Sequence, residues 1–292
     1  MNYFEGFYVK CDGQENSVAF IFGKQISGQD KSAFIQIITD SKTYFAAFDY
    51  ADYQKSKKGF GIKIVGNFCN EKELFISIKT NEFESLGRVE FGEFLPVKYD
   101  VMGPLKLLPA MECKHYTISM RHSTSGSIKI DEINYDFNNG VGYIEGDKGK
   151  SFPKKYFWSQ FNLLPSTAIF VSSAIIPYIG MWFNGTVSVI IHEGKEYRLA
   201  TYLGAKVKEF TSSKLIITQG KGLRKKLLEI WANNCNDHTL LAPQNGVMSR
   251  KIRESIKATV RYRFSVGGKQ LFDLTSERAA YEFSNLAEGD NI

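Results

Sequence analysis

Apolar and polar residues alternate with a period of two over short stretches of this chain, and glycine-containing turns separate the stretches. Ser17–Gly23, Ala33–Thr39, Tyr44–Tyr50, Gly61–Val65, Leu74–Lys79 and Arg88–Phe91 read as strands in the first third. In Phe75–Lys79, Phe75, Ser77 and Lys79 face one way and Ile76 and Ile78 the other. After a Pro/Gly-marked passage at 101–113, strands resume at Tyr116–Arg121, Gly126–Ile130 and Gly142–Ile144. The stretch 185–207 predicts a hairpin about His192–Glu193–Gly194–Lys195, and 257–275 predicts another about Gly267–Gly268. Helices are scarce. Residues 222–234 fit helical spacing through Leu223, Leu227 and Trp231, while Leu228–Ala232 fits a strand as well. Many short strands without βαβ alternation predict an all-β barrel or sandwich. The passage at 101–113 reads as a junction, so two domains are expected, 1–120 and 121–292, each with a barrel-like sheet of its own.

Composition narrows the class. The chain has 292 residues, 43% hydrophobic and 23% charged, which excludes a disordered tail, a collagen-like repeat and a small disulfide-stapled module. Its 14% aromatic content suits β-sheet cores, with a smaller set of rings gathered between Tyr143 and Trp158. Cys11, Cys69, Cys113 and Cys235 form no CxxC pair, and the opening MNYFEGFYVK has no basic stretch leading into an apolar run. A cytoplasmic protein with reduced thiols is expected. The apolar run 169–183 is broken by Ser172, Ser173, Pro177 and Gly180 and is shorter than a span of ~20 residues. Between Lys206 and Lys269 fourteen Lys/Arg face four Asp/Glu, within a formal net charge of +6. The basic residues alternate with apolar ones, as in Arg261–Tyr262–Arg263–Phe264, and so read as the wet face of strands. That reading disfavours nucleic acid and leaves peripheral membrane contact through 206–269 as a second use of the charge.

Chemistry concentrates in two places. In 140–162, Glu145, Asp147 and Lys148 lie between glycines, and Tyr156, Trp158, Gln160 and Asn162 share one strand face. That face would give a cavity an aromatic floor with amide groups for a polar ligand atom; simple turn charges are the plainer reading of the carboxylates. In 111–122, Glu112 and His122 share strand parity and His115 is opposite. A buried, hydrogen-bonded role is the plainer reading for each. Four histidines and no suitable cysteine spacing argue against a metal. GxSxG, Walker, HExxH and GxGxxG patterns do not occur, so no cofactor is expected.

Tyr3–Phe4–Glu5–Gly6–Phe7–Tyr8–Val9–Lys10 is similar to the YFEGWYFK opening of the tocopherol cyclase-like family. Gly142–Tyr143–Ile144–Glu145, Gly149, Ser151–Phe152–Pro153 and Phe157–Trp158–Ser159–Gln160 with Asn162 resemble its GYIEKDWGxSFP…WxQxN block. Met111–Glu112–Cys113 with His115, Ser119–His122, Ala200–Ala205, Leu241–Pro243 and Arg253–Ser255 extend the likeness over nearly the whole chain. Lys148 and Phe7 stand where the family motifs carry Trp. The resemblance implies two lipocalin-like β domains in tandem. It also implies closure of a ring on a prenylated hydroquinone or related isoprenoid, with an alkene protonated and the cation captured by a phenol oxygen.

Such chemistry needs a buried carboxyl acid, electron-rich rings, exclusion of water and donors for the quinol oxygens. Under this resemblance Glu145 is the first choice of acid, Asp147 the second, and His115 orients the acid. Tyr143 and Trp158 would stabilise the cation, Gln160 and Asn162 would hold the quinol oxygens, and Glu112 and His122 complete the expected substrate contacts. The alternative is a non-catalytic carrier of an apolar, isoprenoid or lipid-like small molecule in the same cavity.

Overall fold

The computed structural model describes residues 2–109, 111–178, 180–233 and 238–285. Among these residues 22 strands form two antiparallel sheets, with four short 3-10 turns and no long helix. The first twelve strands are β1 (Tyr3–Asp12), β2 (Ser17–Ser27), β3 (Asp30–Ile38), β4 (Thr43–Asp49), β5 (Tyr53–Lys55), β6 (Gly61–Ile64), β7 (Asn67–Asn70), β8 (Glu73–Lys79), β9 (Glu84–Phe91), β10 (Cys113–Ile130), β11 (Ile133–Asp136) and β12 (Gly140–Gly149). They run in the order β4-β3-β2-β1-β12-β10-β9-β8-β7-β6-β5, with β11 on β10.

The remaining ten are β13 (Lys155–Leu164), β14 (Thr167–Tyr178), β15 (Met181–His192), β16 (Lys195–Ala200), β17 (Lys206–Phe210), β18 (Lys214–Gln219), β19 (Lys226–Asn233), β20 (His238–Gln244), β21 (Val247–Val266) and β22 (Lys269–Asn285). Their order is β16-β15-β14-β13-β22-β21-β19-β18-β17, with β20 on β21.

The local reasons are the expected ones. Ile76 and Ile78 of β8 are buried while Ser77 and Lys79 are exposed, which is the alternation read from sequence. The β15–β16 and β21–β22 hairpins turn on Glu193–Gly194 and Gly267–Gly268, all at positive φ, as two-residue turns that match strand twist require. The ambiguous stretch at 222–234 resolves into a 3-10 turn at Gly222–Arg224 and then strand β19, in which Leu228 and Ile230 are buried. Side-chain burial on a sheet decided it, since helical spacing alone offered no partner face.

The domain boundary differs from the one expected. The first compact unit comprises Met1–Val97, Cys113–Phe152 and Leu240–Arg250, and the second Lys98–Glu112, Pro153–Thr239 and Lys251–Ile292. A break at 120/121 would fall inside β10, one continuous strand that pairs with both β9 and β12. Sheet pairing therefore keeps β10–β12 with the first unit. The Pro/Gly passage does leave that unit: Arg198 donates to the carbonyls of Tyr99 and Asp100, and Tyr202 donates to Val101, all within the second unit. Within the first unit, Gln36 exchanges hydrogen bonds with the backbone of Leu241, which explains why a hairpin from late in the chain belongs there.

Each unit has its own apolar core. The first is built around Phe7, Val9, Phe20, Ile76 and Ile144, the second around Phe157, Phe161, Ile230, Tyr262 and Phe264. In both units the opposite face of the central strands is buried as well, and the candidate chemistry lies there.

Candidate functional site

Strand β12 carries the centre of the site. Tyr8 and Thr117 lie directly across from Glu145, and His115 lies across from Asp147, so strand alternation gathers Tyr143, Glu145, Asp147 and His115 on the face away from the Phe7–Ile144 core. His115 bridges the two carboxylates: its Nε2 lies 3.2 Å from Glu145 Oε2 and its Nδ1 3.0 Å from Asp147 Oδ1. Tyr143 donates to the same Glu145 oxygen at 2.5 Å, and the Cys113 thiol reaches Asp147 Oδ1 at 3.3 Å. The His115 side chain is 11% exposed and that of Glu145 5%.

Electrostatics fix the protonation of two members. Burial by itself would lower the His115 pKa, but Glu145 and Asp147 outweigh it and hold the ring well above the usual imidazole range. Burial, reinforced by the Glu145 charge, raises the Tyr143 phenol well above its ordinary value, so it stays a neutral donor. His115, Glu145 and Asp147 offer ligand atoms within 4.8 Å of one another, close enough for a metal ion. To hold one, His115 would have to bind as the neutral ring.

The two other expected residues of this region fall elsewhere. His122 points to the core face: it pairs with Gly142 after two bulges, between Thr117 and Ser119 and between Ser119 and His122, whose extra residues cancel and leave it opposite His115. It packs 4.7 Å from the rings of Phe91 and Phe94 and shares a 2.9 Å hydrogen bond with Ser119 Oγ. A Cβ at Gly142 would lie 2.2 Å from its Nε2, so this glycine makes room for the ring. Burial, then the neighbouring Arg121 charge, lowers its pKa to about 3. It is a neutral packing histidine. Glu112 is not on the strand: it precedes β10, half-buried, in the 98–112 stretch of the second unit.

In the second unit, Tyr156, Trp158, Gln160 and Asn162 share the face of β13 opposite the Phe157–Phe161 core, as expected. All four are buried, and neither amide atom of Gln160 meets a hydrogen-bond partner. Sequence reading missed the carboxylates beside them. Glu254 and Glu282 are buried directly opposite each other on β21 and β22, and Tyr156 donates to Glu282. It also missed Cys113, although two-residue spacing from His115 on a strand would have placed both on one face.

The family model described as tocopherol cyclase-like matches residues 82–283. The chain belongs to the tocopherol cyclase-like family. Among curated proteins none matches it. Its fold resembles that in the crystal structure of CghA with Sch210972, with a TM-score of 0.61 at 7% identity over 98% of this chain and 90% of that one. A putative AttH from Nitrosomonas europaea follows at 0.58 and 11% identity over 97% and 93%, and kievitone hydratase from Nectria haematococca at 0.51 and 6% over 97% and 89%. These likenesses establish the fold, two lipocalin-like β domains in tandem.

Proposed function

We propose that this protein closes a ring on a prenylated hydroquinone or related isoprenoid by protonating its trisubstituted alkene. Membership of the tocopherol cyclase-like family supports the reading. The observation that carries it is the nearly buried His115 bridging Glu145 and Asp147, with Tyr143 donating to Glu145. Glu145 Oε2 accepts the Tyr143 hydroxyl and lies 3.2 Å from His115 Nε2. A proton passed from His115 Nε2 to Glu145 leaves a neutral ring whose Nδ1–H still bonds Asp147, and makes Glu145 the acid.

Delivery of that proton to the alkene forms a C–H bond and a tertiary cation. The cluster then carries one more negative charge, which stabilises the cation nearby. The phenol oxygen closes the C–O bond and its proton returns to the His115–Glu145 pair, so the cluster is restored and product and substrate have equal mass. Burial of Tyr143 and Glu145 keeps water from competing for the cation.

The test is to incubate the full chain with prenylhydroquinones of several tail lengths and analyse by chromatography and mass spectrometry. A product of unchanged mass and new retention supports cyclisation. One of the similar folds is a hydratase by name, so a gain of one water would replace ring closure by hydration. Unaltered ligand that co-elutes with the protein would replace it by carriage of an apolar small molecule.

A further inference from the structure

The first unit has a concave feature on the other side of the sheet from His115 and Glu145. It is a cleft of about 700 Å³ whose walls include Phe7, Phe60, Phe94, Tyr116 and Ile118. The rings form a connected set: Phe60 lies 5.4 Å from Phe7 and 6.4 Å from Phe94, and Tyr116 lies 6.0 Å from Phe7. Tyr116 packs over Gly146 of β12, where a Cβ would come within 2.6 Å of its ring. Its hydroxyl is buried and has no hydrogen-bond partner. That is an unmet donor at the wall of an aromatic cleft.

The charges around it are uneven. Glu5 is buried and already compensated, with Lys55 at 2.6 Å, Lys24 at 3.7 Å and the Tyr53 hydroxyl at 3.1 Å. Of the acids lining the cleft, Glu71 accepts the Phe60 N–H at 3.0 Å, and Glu93 is on the exposed rim. Lys148 Nζ stands 5.7 Å from the centre of the Tyr116 ring. Register places Lys148 across from Glu5 and Phe7 across from Gly146, on one face. These are the two positions at which the chain carries Lys and Phe in place of the motif tryptophans. A bulky ring is thus reduced at one position and replaced by an ammonium group at the other, both beside the cleft.

We propose that this cleft binds an amphipathic aromatic anion, its rings among Phe7, Phe60 and Phe94 and its acidic head on the Tyr116 hydroxyl and Lys148. The site is separate from the proton-holding cluster and does not depend on ring closure being the reaction. The head group meets a buried donor that has no partner, and the ring system replaces water against apolar walls.

Two probes with nearly the same ring system test it: 8-anilinonaphthalene-1-sulfonate and its neutral counterpart, N-phenyl-1-naphthylamine. Fluorescence titration of the full chain should give about tenfold tighter binding of the sulfonate. Tyr116→Phe, which keeps the ring over Gly146, and Lys148→Met should each remove most of that preference and leave the neutral probe unchanged. Phe94→Asp should weaken both probes. Glu145→Gln should bind both as the wild type does, so loss of catalysis and loss of this site are told apart. Equal affinity for the two probes, or sulfonate binding indifferent to Tyr116→Phe and Lys148→Met, overturns the proposal.

Discussion

The His115–His122 stretch of β10 holds, at its two ends, histidines seven positions apart in opposite chemical states. At one end His115 is a cation, fixed by two carboxylates and a share of their charge. At the other His122 is neutral, wedged between Phe91 and Phe94 with one hydrogen bond to Ser119. The His115 side chain is 11% exposed and His122 is 2% exposed, too small a difference in burial to explain the contrast. What differs is the facing strand: β12 presents Glu145 and Asp147 to one end and Gly142 to the other. Charge partners make a proton store; glycine and aromatic rings make a packed wall.

The strongest way to break this contrast is Glu145→Gln. The amide keeps the shape but cannot take up the His115 proton, so turnover of a prenylhydroquinone should fall by about 100-fold or more. Binding of the same compound should persist, as equilibrium dialysis would report. An unchanged rate would remove Glu145 as the acid.

Next in size is the stability of the charged end. His115→Ala leaves Glu145 and Asp147 close together without their cation. Removing one partner from a buried ion set costs about 3–5 kcal/mol, and denaturant titration should show a loss of that order. A loss under 1 kcal/mol would mean that water reaches the carboxylates freely and that they do not act as a closed unit.

How legible this contrast was in the sequence depends on which interaction made it. The strands and the Gly194 and Gly268 turns follow from alternation and turn chemistry, which are local, whereas the strand expected to end at Ile144 runs on to Gly149 and carries Glu145 and Asp147 on one face with Tyr143 instead of leaving them as turn charges. His115 and His122 were placed on opposite faces by parity, and they are on opposite faces even though two bulges intervene. Partners across strands were less accessible. Nothing near His115 in the chain shows that Asp147, 32 residues away, will face it, or that Glu254 will face Glu282. The division into units failed for the same reason: β10 returns to β12 by pairing, after a passage whose prolines and glycines suggested a border. The state of His122 came from packing against Phe91 and Phe94, which lie on a different strand and the segment after it.

The smallest effects give the two ends opposite signs. Because the folded state raises the His115 pKa, its contribution is fully present below the unfolded value of about 6.5 and is lost as the pH rises through the folded value. The folded state lowers the His122 pKa to about 3, so its contribution is present above about 6.5 and is lost as the pH falls toward 3. Wild-type melting temperature should therefore decline on both sides. His115→Ala should flatten the alkaline decline, and His122→Phe the acid one. His122→Phe keeps an aromatic ring in the wall and removes an Nε2 with no hydrogen-bond partner, at the cost of the Ser119 bond. At neutral pH its stability should stay within about 1 kcal/mol of wild type, and its turnover should be unchanged. If His122→Phe instead lowered turnover as far as Glu145→Gln, the histidine of the wall would belong to the reaction, and the division of β10 into a working end and a packing end would fail.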